Sequence, residues 1–201
     1  MSFRRVLPAF VICIASCSSE PTGPVELAPG QTFQHSFADP IGDTLPPPEN
    51  VFHRALDVRE LQVGLTADSV LVRVTFTGDI SPWSEQTLNS IDGFLDFDFD
   101  DDLSTGFPAA TEEFGGVDAQ MGADSYVSLR DDGNGQMQRR DGVSELWHNV
   151  RVEFSERSFT VRMARTDVDE HDGVFRVSAM IGGTGRWITD LVPGSGHYRV
   201  D

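Results

Sequence analysis

The stretch from Asp92 to Gly106 reads D-G-F-L-D-F-D-F-D-D-D-L-S-T-G and carries six aspartates between positions 92 and 102. Apolar and acidic residues alternate with period two. An extended strand therefore puts Ile91, Leu95, Phe97 and Phe99 on one face and Asp92, Asp96, Asp98 and Asp100 on the other. One face is a core face and the other is a row of like charges. Carboxylates on alternate residues repel one another, and a hard divalent cation with oxygen ligands relieves that repulsion. The stretch predicts a calcium-binding edge of a β-sandwich.

Asp96, Asp98 and Asp100 also fall at the first, third and fifth positions of an EF-hand loop. The match stops there, because Asp101 stands where that loop needs glycine and Phe107 where it needs glutamate. Calcium is expected without that motif. Three or four convergent carboxylates supply most of the roughly six to eight oxygens it takes, and backbone carbonyls of residues 100–106 with water complete the shell. The competing reading is a solvated acidic edge that discourages strand-to-strand association.

The rest of the chain sets the compartment. With 201 residues, 39% of them hydrophobic, it supports one domain with a sizeable core. Lysine is absent, and fifteen arginines face 32 acidic residues. A pI near 4.4 opposes charge-driven binding to nucleic acid or to an anionic lipid surface. Met1 to Cys17 has a basic start (Arg4, Arg5) and an apolar run from Val6 to Ala15 broken only by Pro8. It is too short for a transmembrane helix and reads as a signal segment. Ile14-Ala15-Ser16-Cys17 resembles the lipobox of bacterial lipoproteins, which implies cleavage before Cys17 and lipidation of its thiol. By the same resemblance Ser18 points to the outer membrane. The alternative is an ordinary secretory signal. Without residues 1–16, 13 basic residues face 32 acidic ones, a net charge of −19. Cys13 leaves with the leader, so no disulfide framework, cysteine zinc site or thiol nucleophile is expected. Residues 17–30 read as an acylated cysteine and a Ser-, Pro-, Gly- and Thr-rich tether. Residues 31–201 read as the folded domain.

Within that domain, Thr32 to Phe37 alternates as a first strand in which His35 is expected to be packed. Asp39 to Asp43 forms a turn, and Pro46 to Pro48 continues an extended loop. Asp57 to Leu65 and Val70 to Phe76 form a clear hairpin across Thr66 to Ser69. Residues 107–122 read as a long loop that a metal could order. Strands follow over 124–129, 136–140 and 143–147. A second hairpin joins Val150, Val152 and Phe154 to Phe159, Val161 and Met163, and Val174 to Ile181 is the last core strand. Gly182 to Asp201 reads as a loose end. Roughly ten short strands with no sustained helical period predict an all-β, antiparallel, jelly-roll-like sandwich.

Several motifs, taken in order, resemble a bacterial secreted β-sandwich family related to family 9 carbohydrate-binding modules and DOMON-like domains. They are Asp39-Pro40-x-Gly42-Asp43, the hairpin opening at Asp57-Val58, the D-F-D-F-D run closing in Thr105-Gly106, Gly122-Ala123-Asp124-x-Tyr126, and Thr189-Asp190-x-x-Pro193-x-x-Gly196. The resemblance covers most of residues 35–196 and implies a calcium-stabilised sandwich that binds sugars or serves as a cell-surface accessory module. It adds Asp124 and Asp43 to Asp96, Asp98 and Asp100 as metal ligands. The stretch before Thr105 is longer and more acidic than that resemblance implies.

No Ser-His-Asp spacing, phosphate-binding glycine loop or H-E-x-x-H is present, and no pair of acids stands out for glycoside hydrolysis, so no enzyme is expected. His148, His171 and His197 are scattered, and Glu170-His171-Asp172 reads as a polar turn. Met121, Met163 and Met180 read as core filler before haem ligands. Trp83, after Pro82 in a loop, and Trp187, in the glycine-rich end, are the candidates for stacking on a sugar ring; Trp147 reads as packed. The expectation is a lipid-anchored, calcium-stabilised, non-catalytic envelope module with carbohydrate as ligand. The alternative is a structural lipoprotein whose partner is an envelope protein.

Overall fold

The computed structural model describes residues 32–45, 55–84, 87–129, 134–140, 145–168, 173–182 and 188–201, and for 134–140 and 145–149 it describes the backbone. About 50% of the described residues are strand and 5% helix, which makes the fold all-β as expected. The strands are β1 (His35–Ala38), β2 (Val58–Leu65), β3 (Ser69–Phe76), β4 (Asp92–Asp98), β5 (Phe107–Pro108), β6 (Gly122–Ala123), β7 (Ser125–Ser128), β8 (Asn134–Arg140), β9 (Glu145–Phe154), β10 (Ser158–Ala164), β11 (Phe175–Gly182), β12 (Ile188–Val192) and β13 (Tyr198–Val200). Two single-turn helices, α1 (Ala110–Glu113) and α2 (Arg165–Val168), complete the elements.

Eleven strands form one antiparallel ladder in the order β1-β2-β3-β10-β9-β8-β7-β4-β11-β12, with β13 also on β11. The ladder folds back on itself as a sandwich, and alternate residues of both halves fill a single core. Val70, Val72, Val74 and Phe76 from β3 and Phe159, Val161 and Met163 from β10 meet Leu95 and Phe97 of β4 and Phe175, Val177, Ala179 and Ile181 of β11 there. Both expected hairpins form. Thr66 closes the first by accepting the Ser69 amide on its hydroxyl at 2.9 Å, and in the second the Ser155 amide donates to the Ser158 carbonyl at 2.8 Å.

Four expectations are corrected. The acidic strand β4 is not at an edge: β7 pairs on one side of it and β11 on the other. Residues 107–122 are not an open loop. They contain β5 and α1, and with β6 they fold over the outer face of β4, burying Ala109, Ala119, Met121 and Ala123 with Phe107 in one small cluster. A second cluster joins Ala110 to Met180 and Leu191, with Phe94 and Val117 against it. Residues 188–201 are not loose either, because β12 and β13 both pair with β11. Residues 143–154, read as two strands, contain one long strand, β9.

The two ends of the ladder come together. Leu45 donates its amide to the Thr189 carbonyl at 2.8 Å, the Val58 amide donates to Asp190 Oδ2 at 2.6 Å, and the Tyr198 hydroxyl donates to the Ala38 carbonyl at 3.2 Å. Tyr198 also stacks on Phe37 with ring centroids 4.7 Å apart. These contacts draw β1 and β2 against β12 and β13, so the sandwich has a seam.

Candidate metal centre

The apolar face of β4 is as expected: Ile91, Leu95, Phe97 and Phe99 all belong to the main core. The acidic face is not solvated. Asp92, Asp96 and Asp98 are each no more than 2% exposed, and the 107–123 cover reaches Asp96 and Asp98 through the Ala110 and Gly122 amides. Burying carboxylates costs heavily unless each finds donors or an opposite charge, so their surroundings divide their roles.

Asp96 is a structural acceptor. Its Oδ2 accepts the Ala110 amide at 3.0 Å, and the Thr111 amide also bonds to the carboxylate. Ala109, at the N-cap of α1, has no side chain able to cap the helix, so a strand residue supplies the missing acceptor. Burial pushes the Asp96 carboxyl up from 3.8 to about 7, against the pull of those two amides.

Two residues on, Asp98 lies directly opposite Arg176 of β11. Asp98 Oδ2 accepts Arg176 Nη1 at 3.1 Å and the Gly122 amide at 3.3 Å, whereas its Oδ1 is buried with no hydrogen-bond partner. Burial raises its pKa to about 6; the Arg176 guanidinium pulls it down and Asp124 pushes it up. Arg176 also reaches Asp101, with Nε 2.7 Å from Oδ1, and Arg199 lies 3.1 Å from the same carboxylate.

Carboxylate oxygens of Asp98, Asp100 and Asp124 lie within 4.8 Å of one another. Asp124, just before β7, accepts the Phe99 amide at 2.8 Å and the Asp100 amide at 3.3 Å on Oδ2. Asp100 accepts the Asp102 amide at 3.0 Å and the Thr105 hydroxyl at 2.9 Å, which folds the acidic run into a tight turn. Three hard oxygen donors, one deeply buried and one at the surface, form half of a calcium shell that carbonyls of the turn and water can complete. The orphaned Oδ1 of Asp98 fits that role, because a cation would take the place of the donor it lacks.

No family model, characterised protein or solved structure matches the chain. The family resemblance therefore stands on its motifs alone.

Of the five expected metal ligands, Asp98, Asp100 and Asp124 come together, Asp96 caps α1, and Asp43 lies elsewhere. Asp43 is at the seam, where its carboxylate and those of Asp39 and Asp190 place ligand oxygens within 4.8 Å of one another. Sequence reading chose neither Asp39 nor Asp190 as a ligand. The D-P-x-G-D turn was the available signal for Asp39; Asp190 sits among apolar residues in a segment read as loose. Burial raises the Asp39 carboxyl to about 6 and the Asp190 carboxyl to about 7, with neighbouring carboxylates adding to the rise.

Trp83 is half-buried in the connection between β3 and β4. Cys17, the tether, Trp187, Glu170 to Asp172 and the side chain of Trp147 lie outside the described residues. Met163 belongs to the main core and Met121 and Met180 to the two small clusters, which is the packing role expected of them. No helix among the described residues is long and apolar enough to cross a membrane.

Proposed function

We propose that the protein is a non-catalytic binding module of the bacterial envelope, held at the outer membrane by a lipid on Cys17 and stabilised by calcium at Asp98, Asp100 and Asp124. The observation that carries the reading is the convergence of these three carboxylates, together with an Asp98 Oδ1 that is buried and has no hydrogen-bond partner. Calcium there would tie the β4 end, the 100–106 turn and the start of β7 together, and so hold the cover over the acidic face. Carbohydrate is the ligand class. It is supported by the half-buried loop residue Trp83, whose aromatic face suits the apolar face of a pyranose.

The rival reading is a structural lipoprotein that docks an envelope protein. One observation favours it: Leu103 and Phe114, both on the segment that follows β4, are more than half exposed.

Thermal unfolding of the full chain in detergent, in calcium and in chelator, tests the metal. Calcium is expected to raise the melting temperature by mass action, with a smaller rise in Asp100→Asn. An unchanged melting temperature would sink the calcium reading. Retention on polysaccharide resins that disappears in Trp83→Ala tests the ligand class. Co-purification of a single envelope protein without sugar retention would favour the rival.

A further inference from the structure

We propose a second calcium site at the seam of the sandwich, formed by Asp39, Asp43 and Asp190, that clasps the two ends of the sheet together. Asp39 follows β1, Asp43 ends the adjoining turn, and Asp190 is in the middle of β12, so the three reach the seam from both ends of the ladder. Asp39 and Asp190 are 5% and 1% exposed, while Asp43 is open to solvent. That combination gives a cation a buried seat and a route in.

The electrostatics of the seam differ from those at Asp98. Arg176 and Arg199 balance the acidic turn after β4. Among the described residues no arginine or histidine pairs with Asp39, Asp43, Asp190 or the neighbouring Asp57. Their own hydrogen bonds leave room for an ion. Asp190 accepts the Val58 amide on Oδ2, Asp57 accepts the Gly42 amide on Oδ1, and Asp39 accepts the Tyr198 hydroxyl on Oδ1 at 3.0 Å. Asp39 Oδ2 is buried with no hydrogen-bond partner. A buried anionic oxygen with no donor, beside further carboxylates and with no cation paired to them among the described residues, calls for a positive charge from solution. An all-oxygen, all-carboxylate set selects a hard divalent ion over zinc or copper.

Such an ion would act where the sheet lacks a continuous backbone ladder. The seam is joined by single bonds from Leu45, Val58 and the Thr189 hydroxyl, which donates to the Leu56 carbonyl, and by the Tyr198 contacts. Three carboxylates on one ion would add the cross-link that strand pairing does not supply.

The site rests on its own residues and not on the calcium at Asp98, and the test separates the two. Calcium binding to the full chain in detergent is counted by equilibrium dialysis for the wild type, Asp43→Asn, Asp39→Asn and Asp100→Asn. Asp43 is exposed, so its replacement leaves packing intact, and asparagine at 39 keeps an acceptor for Tyr198. The expected result is two calcium ions per chain, with one weakened at least about tenfold in Asp43→Asn and in Asp39→Asn, and the other in Asp100→Asn. Loss in the two seam variants alone would keep the seam site and remove the one at Asp98. Calcium binding unchanged in Asp43→Asn and Asp39→Asn, or no binding to the wild type, would overturn the seam site. Hydrogen exchange at the Leu45 and Val58 amides reads the clasp directly. Calcium is expected to slow both in the wild type but not in Asp43→Asn, and equal exchange with and without calcium would overturn the clasp.

Discussion

Asparagine in place of Asp96 is expected to stabilise the protein above about pH 7 and to destabilise it below about pH 4. The carboxylate is completely buried, and burial lifts its pKa from 3.8 to about 7. A rise of that size disfavours the ionised form by about 4 kcal/mol. Asparagine keeps an oxygen for the Ala110 amide and carries no charge. It also puts an NH2 group near the place where Asp96 Oδ1 has no partner, at a cost of about 1–3 kcal/mol. The net expectation is a gain of about 1–3 kcal/mol at alkaline pH and a loss of similar size, about 1–3 kcal/mol, in acid, where the wild-type carboxyl is already neutral. The folded pKa lies above the unfolded one, so the stability that Asp96 contributes is complete below about pH 4 and is lost as pH rises through about 7. Urea unfolding across this range, in chelator so that ions at the other carboxylates do not enter, gives the two curves. They should cross. If Asp96→Asn is as destabilising at alkaline pH as in acid, the charge on Asp96 is welcome in the fold and the reasoning from burial is wrong. Asp96→Ala, which strands the amides of Ala110 and Thr111, is expected to be less stable than Asp96→Asn by about 1–3 kcal/mol at every pH.

Arg176→Gln removes the cation facing Asp98 and Asp101 and is expected to cost about 3–5 kcal/mol in urea unfolding with chelator present, since an unpaired carboxylate stays buried; a cost under about 1 kcal/mol would mean that Asp98 is neutral when folded. Gly93 has φ +130°, and a Cβ there would lie 2.0 Å from the Met180 carbonyl oxygen, so Gly93→Ala is expected to lose more than about 3 kcal/mol. Wild-type thermal stability in that variant would refute the close approach of β4 to β11. Tyr198→Phe keeps the stack on Phe37 but removes the hydroxyl from Asp39 and the Ala38 carbonyl; a loss of about 1–2 kcal/mol by the same unfolding assay is expected, and none would show the seam to be held by other contacts.

The β4 stretch separates what was legible in the sequence from what was not. Alternation is a local steric property of an extended chain, so it named the core face correctly: Ile91, Leu95, Phe97 and Phe99 are all buried in the main cluster. The hairpins β2–β3 and β9–β10 were legible for the same reason, with short turn sequences between alternating runs. The same period could not say which strands flank β4, nor that a later segment would cover its acidic face. It treated Asp96 and Asp98 alike. Folding gave one the amides of α1 and the other Arg176, residues far along the chain that only long-range pairing brings near.

The seam carries the contrast further. Composition and spacing alone established an acidic, strand-rich chain with more carboxylates than its arginines can neutralise. Where those unbalanced charges gather was a matter of tertiary structure. Asp39 and Asp190 come together because the sheet closes on itself, and closure depends on the packing of every strand between them. A carboxylate on a strand is unremarkable until burial removes its water, and burial is a property of the whole fold.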